Sequence, residues 1–187
     1  MFRTERLPTH SHGFMWEISQ ISGSLLRSRG ALPPAMPRSE KIRAALHFVE
    51  HPFSCHPNGL FEKPLSADVM NDIEVMHNNL LKIGSSRFLI SLLYASFQNK
   101  IFENTQEALY AISKIKAQAE NKDKLCLQRA LLAAKISKSF KDHGVIFIGA
   151  HIPTADMHAW IIEEGMQPDY QDRNWVNYRP LLGITLK

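Results

Sequence analysis

Apolar positions along this chain repeat first at helical and then at strand spacing. Ser39 can cap a helix in which Ile42, Ala45, Leu46 and Val49 follow the i, i+3, i+4, i+7 rhythm of one buried face, and Pro52 stops it. Ser66 can cap a second helix, with Val69, Ile73, Met76 and Leu80 on one side and Gly84 as its C-terminal stop. The apolar run from Phe88 to Phe97 reads as part of a buried helix from about Arg87 to Gln98. Asn104 and Glu107 form a capping pair for another helix, which buries Ala108, Ile112, Ile115 and Ala119. The polar stretch from Glu120 to Lys124 then turns the chain.

Beyond that turn the pattern changes. Leu125 to Ser139 predicts a helix with Leu127, Leu131 and Ala134 on one face, and His143-Gly144 predicts a turn. Val145 to Ala150 is short, apolar and rich in β-branched or aromatic residues, so it reads as a strand. Pro153 to Asp156 reads as a loop and Met157 to Glu163 as a second strand, with Gly165 and Pro168 turning the chain after it. Ahead of all this, Phe14 to Ile18 has the texture of a short strand. Gly30, Pro33, Pro34 and Pro37 make a linker, and residues 52–65 read as loop. Helices followed by a helix packed on a small antiparallel sheet make an α+β arrangement.

A length of 187 residues fits one domain, or one domain with a small appendage, and 44% hydrophobic against 21% charged residues is an ordinary globular balance. The net charge of +4 is spread along the chain. Lys135, Lys138 and Lys141 recur at helical spacing, the pattern of a solvated helix face, so no nucleic-acid partner is expected. The cysteines are Cys55 and Cys126, too few for a disulfide framework. No apolar run approaches the roughly 20 residues that span a bilayer, and there is no secretory signal. The expectation is a soluble cytoplasmic protein with reduced thiols and no membrane partner.

Cys126 opens the predicted helix that follows the polar turn. A helix N-terminus carries partial positive charge and unsatisfied N–H groups, which favour a thiolate and can hold a developing oxyanion. A thiolate nucleophile also needs a base, and the base an orienting group. His158 supplies the base from the second strand, beside Trp160, which can wall the site from water. Asp169 is the first carboxylate beyond the Gly165–Pro168 turn and can fix the imidazole tautomer, with Asp172 as the alternative.

The segment Cys126-Leu127-Gln128-Arg129-Ala130-Leu131 resembles the helix-opening motif of the transglutaminase-like leader peptidases of lasso-peptide biosynthesis, often called B proteins. His158-Ala159-Trp160 resembles their second motif, and Gly144 with the strand through Gly149 resembles the turn and strand between. The likeness runs over roughly residues 86–185, so residues 85–187 are read as the cysteine peptidase domain and 1–84 as a partly helical N-terminal region. That region has the length, but not the clear sequence, of a leader-recognition module. Ile162 stands where the family usually has an acidic residue, with Glu163 one position on.

The resemblance implies a papain-like core and a Cys126–His158–Asp169 triad that removes the leader from a ribosomal precursor peptide, without metal or organic cofactor. It also implies a partner that consumes the product, an asparagine-synthetase-like macrolactam cyclase. Leader recognition would be internal or come from a separate protein.

Two other readings stand beside it. A degenerate transglutaminase-like domain could bind a peptide without cutting it. His47-Phe48-Val49-Glu50-His51 matches the H-x-x-E-H pattern of inverted zinc peptidases, with Cys55 and His56 nearby, although Pro52 would fray the turn that carries His51.

Overall fold

Alternation along two adjacent strands divides the core into two halves. In β2 (Gly144–Ala150) and β3 (Met157–Glu163), Val145, Phe147, Trp160 and Ile162 share one face of the sheet, and Ile146 and Ile161 share the other. Both faces are covered, so both strands read as nearly continuous apolar runs. The computed structural model describes residues 16–20, 39–50, 64–84, 101–115, 125–151, 153–163 and 177–186, with the backbone alone for 16–20 and 47–50.

Among the described residues, four antiparallel strands form the sheet in the order β1-β4-β2-β3, where β1 is Trp16–Gln20 and β4 is Arg179–Leu186. The helix α1 (Glu40–Glu50) lays Ile42, Ala45 and Leu46 on the Val145/Phe147/Trp160 face. The opposite face carries α2 (Ala67–Ile83), α3 (Thr105–Ser113) and α4 (Cys126–Ile136). Their core includes Ile73, Leu80, Ile112, Leu131, Leu132 and Ile136. Each such aliphatic side chain contributes about 1.5–3 kcal/mol on burial. The arrangement is α+β: helices about a small antiparallel sheet, with α4 packed on β3 and β2.

The local signals are visible where they were expected. Ser66 caps α2 by accepting from the Val69 N–H at 3.3 Å, and Gly84 ends it with a φ of 80°. Asn104 caps α3 by accepting from the Glu107 N–H at 2.9 Å, and the Glu107 carboxylate accepts in return from the Glu103 N–H. Ala108, Ile112 and Ile115 are buried as the spacing demands.

Other boundaries differ. The helix read as Leu125 to Ser139 stops at Ile136, because residues 101–103 bond to 136–139 as an extended bridge. His143 and Gly144 make no open turn. The short helix α5 (Phe140–His143) runs directly into β2, and a Cβ on Gly144 would meet the Phe140 ring at 2.0 Å. β4 was not anticipated, since Pro180 and Gly183 interrupt its pattern. Pro180 lies beyond the stretch paired with β1 and opposite Gly149, where the β2–β4 register shifts. The stretches Arg87 to Gln98, Glu120 to Lys124 and Gly30 to Pro37, together with Ala119, lie outside the described residues. No helix among the described residues is long and apolar enough to cross a membrane.

His77 on α2 is completely buried, and that burial holds its pKa below the ordinary 6.5 despite the opposing pull of Glu74 and a hydrogen bond with Asn78. A pKa lower in the folded than in the unfolded chain means that the unfolded chain takes up the proton first. The contribution of His77 to stability is therefore full above pH 6.5 and falls as the pH drops below it. Urea titrations at pH 7.5 and pH 5 should show a lower midpoint at pH 5, and His77→Leu should flatten that difference. An equally steep pH dependence in the variant would assign the acid sensitivity to another group.

Candidate active site

Cys126 is the first helical residue of α4, and its half-buried thiol faces β3. The preceding Leu125 offers no side-chain cap, so the first-turn amides are left for other acceptors. One of them, the Leu127 N–H, donates to the sulfur. A second donor comes from the sheet. β3 is an edge strand among the described residues, and the backbone N–H of Ala159 donates to the sulfur. The third contact is a hydrogen bond between the thiol and the side chain of His158.

These contacts set the ionisation of the thiol. Burial alone pushes its pKa up and is the largest single influence. The hydrogen bond with His158, the Ala159 N–H, the charge on His158 and the Leu127 N–H together outweigh it, and the pKa settles below the ordinary thiol range. A thiol whose pKa is lowered by contact with an imidazole has the arrangement from which a thiolate–imidazolium pair can form.

His158 itself is only 6% exposed and its Nε2 atom is sealed from solvent. Its ring lies near the Trp160 indole, 6.1 Å between centroids with planes 14° apart, and near the Tyr178 ring, at 4.8 Å and 34°. Trp160 packs in turn on Phe147 at 5.6 Å. The expected wall around the histidine is present, and Tyr178 extends it.

A cleft of only about 10 Å³ opens beside the thiol, with apolar Leu109, Ala130, Ala159 and Ile161 and the buried Arg129 in its lining. Arg129 follows Cys126 by three residues, so helical geometry places both on one face of α4. Glu163 at the far end of β3 is 2% exposed. Its carboxylate accepts from the Thr105 N–H at 2.8 Å and the Thr105 hydroxyl at 2.6 Å, at the N-terminus of α3. This acid ties β3 to a helix start, while Ile162 fills the apolar face beneath α1.

The structure therefore brings Cys126 and His158 together. Asp169, Asp172, Gly165 and Pro168 lie outside the described residues, as do His51, Cys55 and His56. Of His47 and Glu50 only the backbone, on α1, is described. Among the described residues no three His, Cys, Asp or Glu side chains are grouped to hold a metal ion. Sequence reasoning overlooked Tyr178 and the role of Glu163. Neither sits in a pattern that marks it, because each is placed by a distant element. No family model matches the chain, and no curated protein and no solved structure matches it either.

Proposed function

We propose that the protein is a transglutaminase-like cysteine peptidase that removes the leader from a lasso-peptide precursor. The observation that supports it most is the Cys126 thiol at the start of α4, hydrogen-bonded to His158 and the Ala159 N–H, with its pKa lowered. The substrate class rests on the likeness of Cys126–Leu131 and His158–Trp160 to the B-protein motifs.

In the proposed reaction the Cys126 thiolate attacks the carbonyl that joins leader to core. The proton lost from the thiol is held by His158, which passes it to the departing core amine. The leader remains as a thioester on Cys126. Water, activated by the now neutral His158, hydrolyses it and restores the pair. First-turn amides of α4, that of Cys126 among them, stabilise the oxyanion. Asp169 orients His158, with Asp172 as the alternative. The products are a leader with a free carboxylate and a core with a free α-amine. That amine is what an ATP-using, asparagine-synthetase-like cyclase would join to an Asp or Glu side chain.

The test is to incubate the purified chain with a lasso-type precursor and read the products by mass. Cleavage at one bond between leader and core is expected, unchanged by a strong chelator, with Asp169→Asn slower than the parent and Asp172→Asn close to it. Loss of cleavage in chelator, restored by zinc, would move the chemistry to His47, Glu50 and His51. Tight precursor binding with no cleavage would favour the peptide-binding reading.

A further inference from the structure

The surroundings of His158 contain one contact that the proposed reaction leaves unexplained. Tyr178 immediately precedes β4, two strands away from β3 in the sheet order β1-β4-β2-β3. To reach His158 it must cross β2, and it crosses at Gly149. This glycine pairs with His158 on one side and Pro180 on the other, and the β2–β4 register shifts there. A Cβ on Gly149 would lie 2.5 Å from the Arg179 carbonyl oxygen and 2.8 Å from the Trp160 indole. The bare backbone at 149 thus lets the start of β4 come down onto the sheet, and this sets the Tyr178 ring 4.8 Å from the imidazole.

We propose that Tyr178 is a positioning residue that clamps the His158 ring and stabilises its protonated form through the face of its own ring. The inference rests on the proposed Cys126–His158 chemistry and specifies what keeps that pair charged. An aromatic face attracts a cation within about 6 Å of its centroid, and a desolvated site strengthens the attraction. Trp160 lies near the same imidazole with its plane 14° from it, so the ring has two aromatic neighbours. With its rotation restricted, the nitrogen that meets the thiol stays directed at it, and the ion pair persists to higher pH than two groups in water would allow.

Other charged groups around the imidazole come from several elements. From α4 come Cys126, in direct contact, and Arg129, in the adjoining pocket. From the hairpin after β2 comes His151, whose ring lies 5.8 Å from that of Tyr178. His151 Nδ1 is 2.9 Å from the Thr154 hydroxyl, which donates to Asp156 at 2.6 Å. Arg179 follows Tyr178 into β4. On α1, Lys41 is engaged by the carbonyls of Lys141 and Leu186, at the opposite end of the sheet. Glu163 is engaged by Thr105.

The experiment is a proton NMR titration of the His158 ring in the full chain, assigned by loss of its signal in His158→Gln. Three variants are compared with the parent: Tyr178→Phe, Tyr178→Leu, and pentafluorophenylalanine in place of Tyr178. Phe keeps the negative ring face and should leave the His158 pKa where it is. Leu should lower it by about half a unit. The fluorinated ring keeps the shape but reverses the charge of the face, so it should lower the pKa at least as far. It decides the question even where Leu perturbs folding. A His158 pKa unmoved by the fluorinated ring would overturn the proposal. A separate control guards the underlying reading. If parental Cys126 reacts with iodoacetamide at pH 6 no faster than a free cysteine, there is no ion pair and the proposed function fails, whatever Tyr178 does.

Discussion

Cys126→Ala is expected to remove all measurable leader cleavage, a loss of at least about 10⁴-fold, since deleting a nucleophile eliminates the covalent route. The fold should survive. The thiol is half-buried at the first turn of α4, while the core of that helix is carried by Leu131, Leu132 and Ile136. Circular dichroism and thermal unfolding should match those of the parent, which separates lost chemistry from lost structure. Precursor binding should also persist, because the substitution removes a single sulfur atom from a half-buried position. A variant that still cuts at the parental rate would remove Cys126 from the mechanism.

His158→Gln should have the second-largest effect. It deletes the proposed general acid–base group, worth about 10²–10⁴ in rate. It also removes two of the four influences that lower the Cys126 pKa and leaves the opposing effect of burial in place. The thiol pKa should then rise, and the sign of the consequence is fixed. The contacts with His158 lower the thiol pKa in the parent, so the thiol of the variant should ionise at higher pH than that of the parent. Alkylation of Cys126 by iodoacetamide at pH 6.5 should therefore fall by at least about tenfold and recover as the pH is raised. Equal alkylation rates in parent and variant at pH 6.5 would show that His158 does not govern the thiol.

The elements near the site were legible in the sequence because their signals are local. A polar stretch before Cys126 marks a helix start, and the largely apolar run Met157 to Glu163 packs as the strand found there. The capping of α2 by Ser66 and of α3 by Asn104 follows from side chains that bond amides three residues on. Illegible features depend on distant partners. β4 is a strand because β1 and β2 pair with it on either side, despite Pro180 and Gly183. Tyr178 lies near His158 where the bare backbone of Gly149 leaves room for the start of β4. The buried Glu163 is accounted for by Thr105, 58 residues away in the chain, and no local pattern announces that pairing. The break after Ile136 has the same origin: residues 101–103 capture the backbone that helical spacing would have continued.

The most direct measurement of the central claim uses a peptide copied from the C-terminal end of a lasso-type leader and ending in a vinyl sulfone, an electrophile that a thiolate attacks irreversibly. After incubation at pH 6.5, peptide mapping should place one adduct per chain on Cys126 and none on Cys55. Labelling should be slowed in His158→Gln and blocked by prior incubation with intact precursor. Precursor cleavage continuing in a chain fully labelled at Cys126, or labelling that ignores the loss of His158, would contradict a Cys126–His158 peptidase.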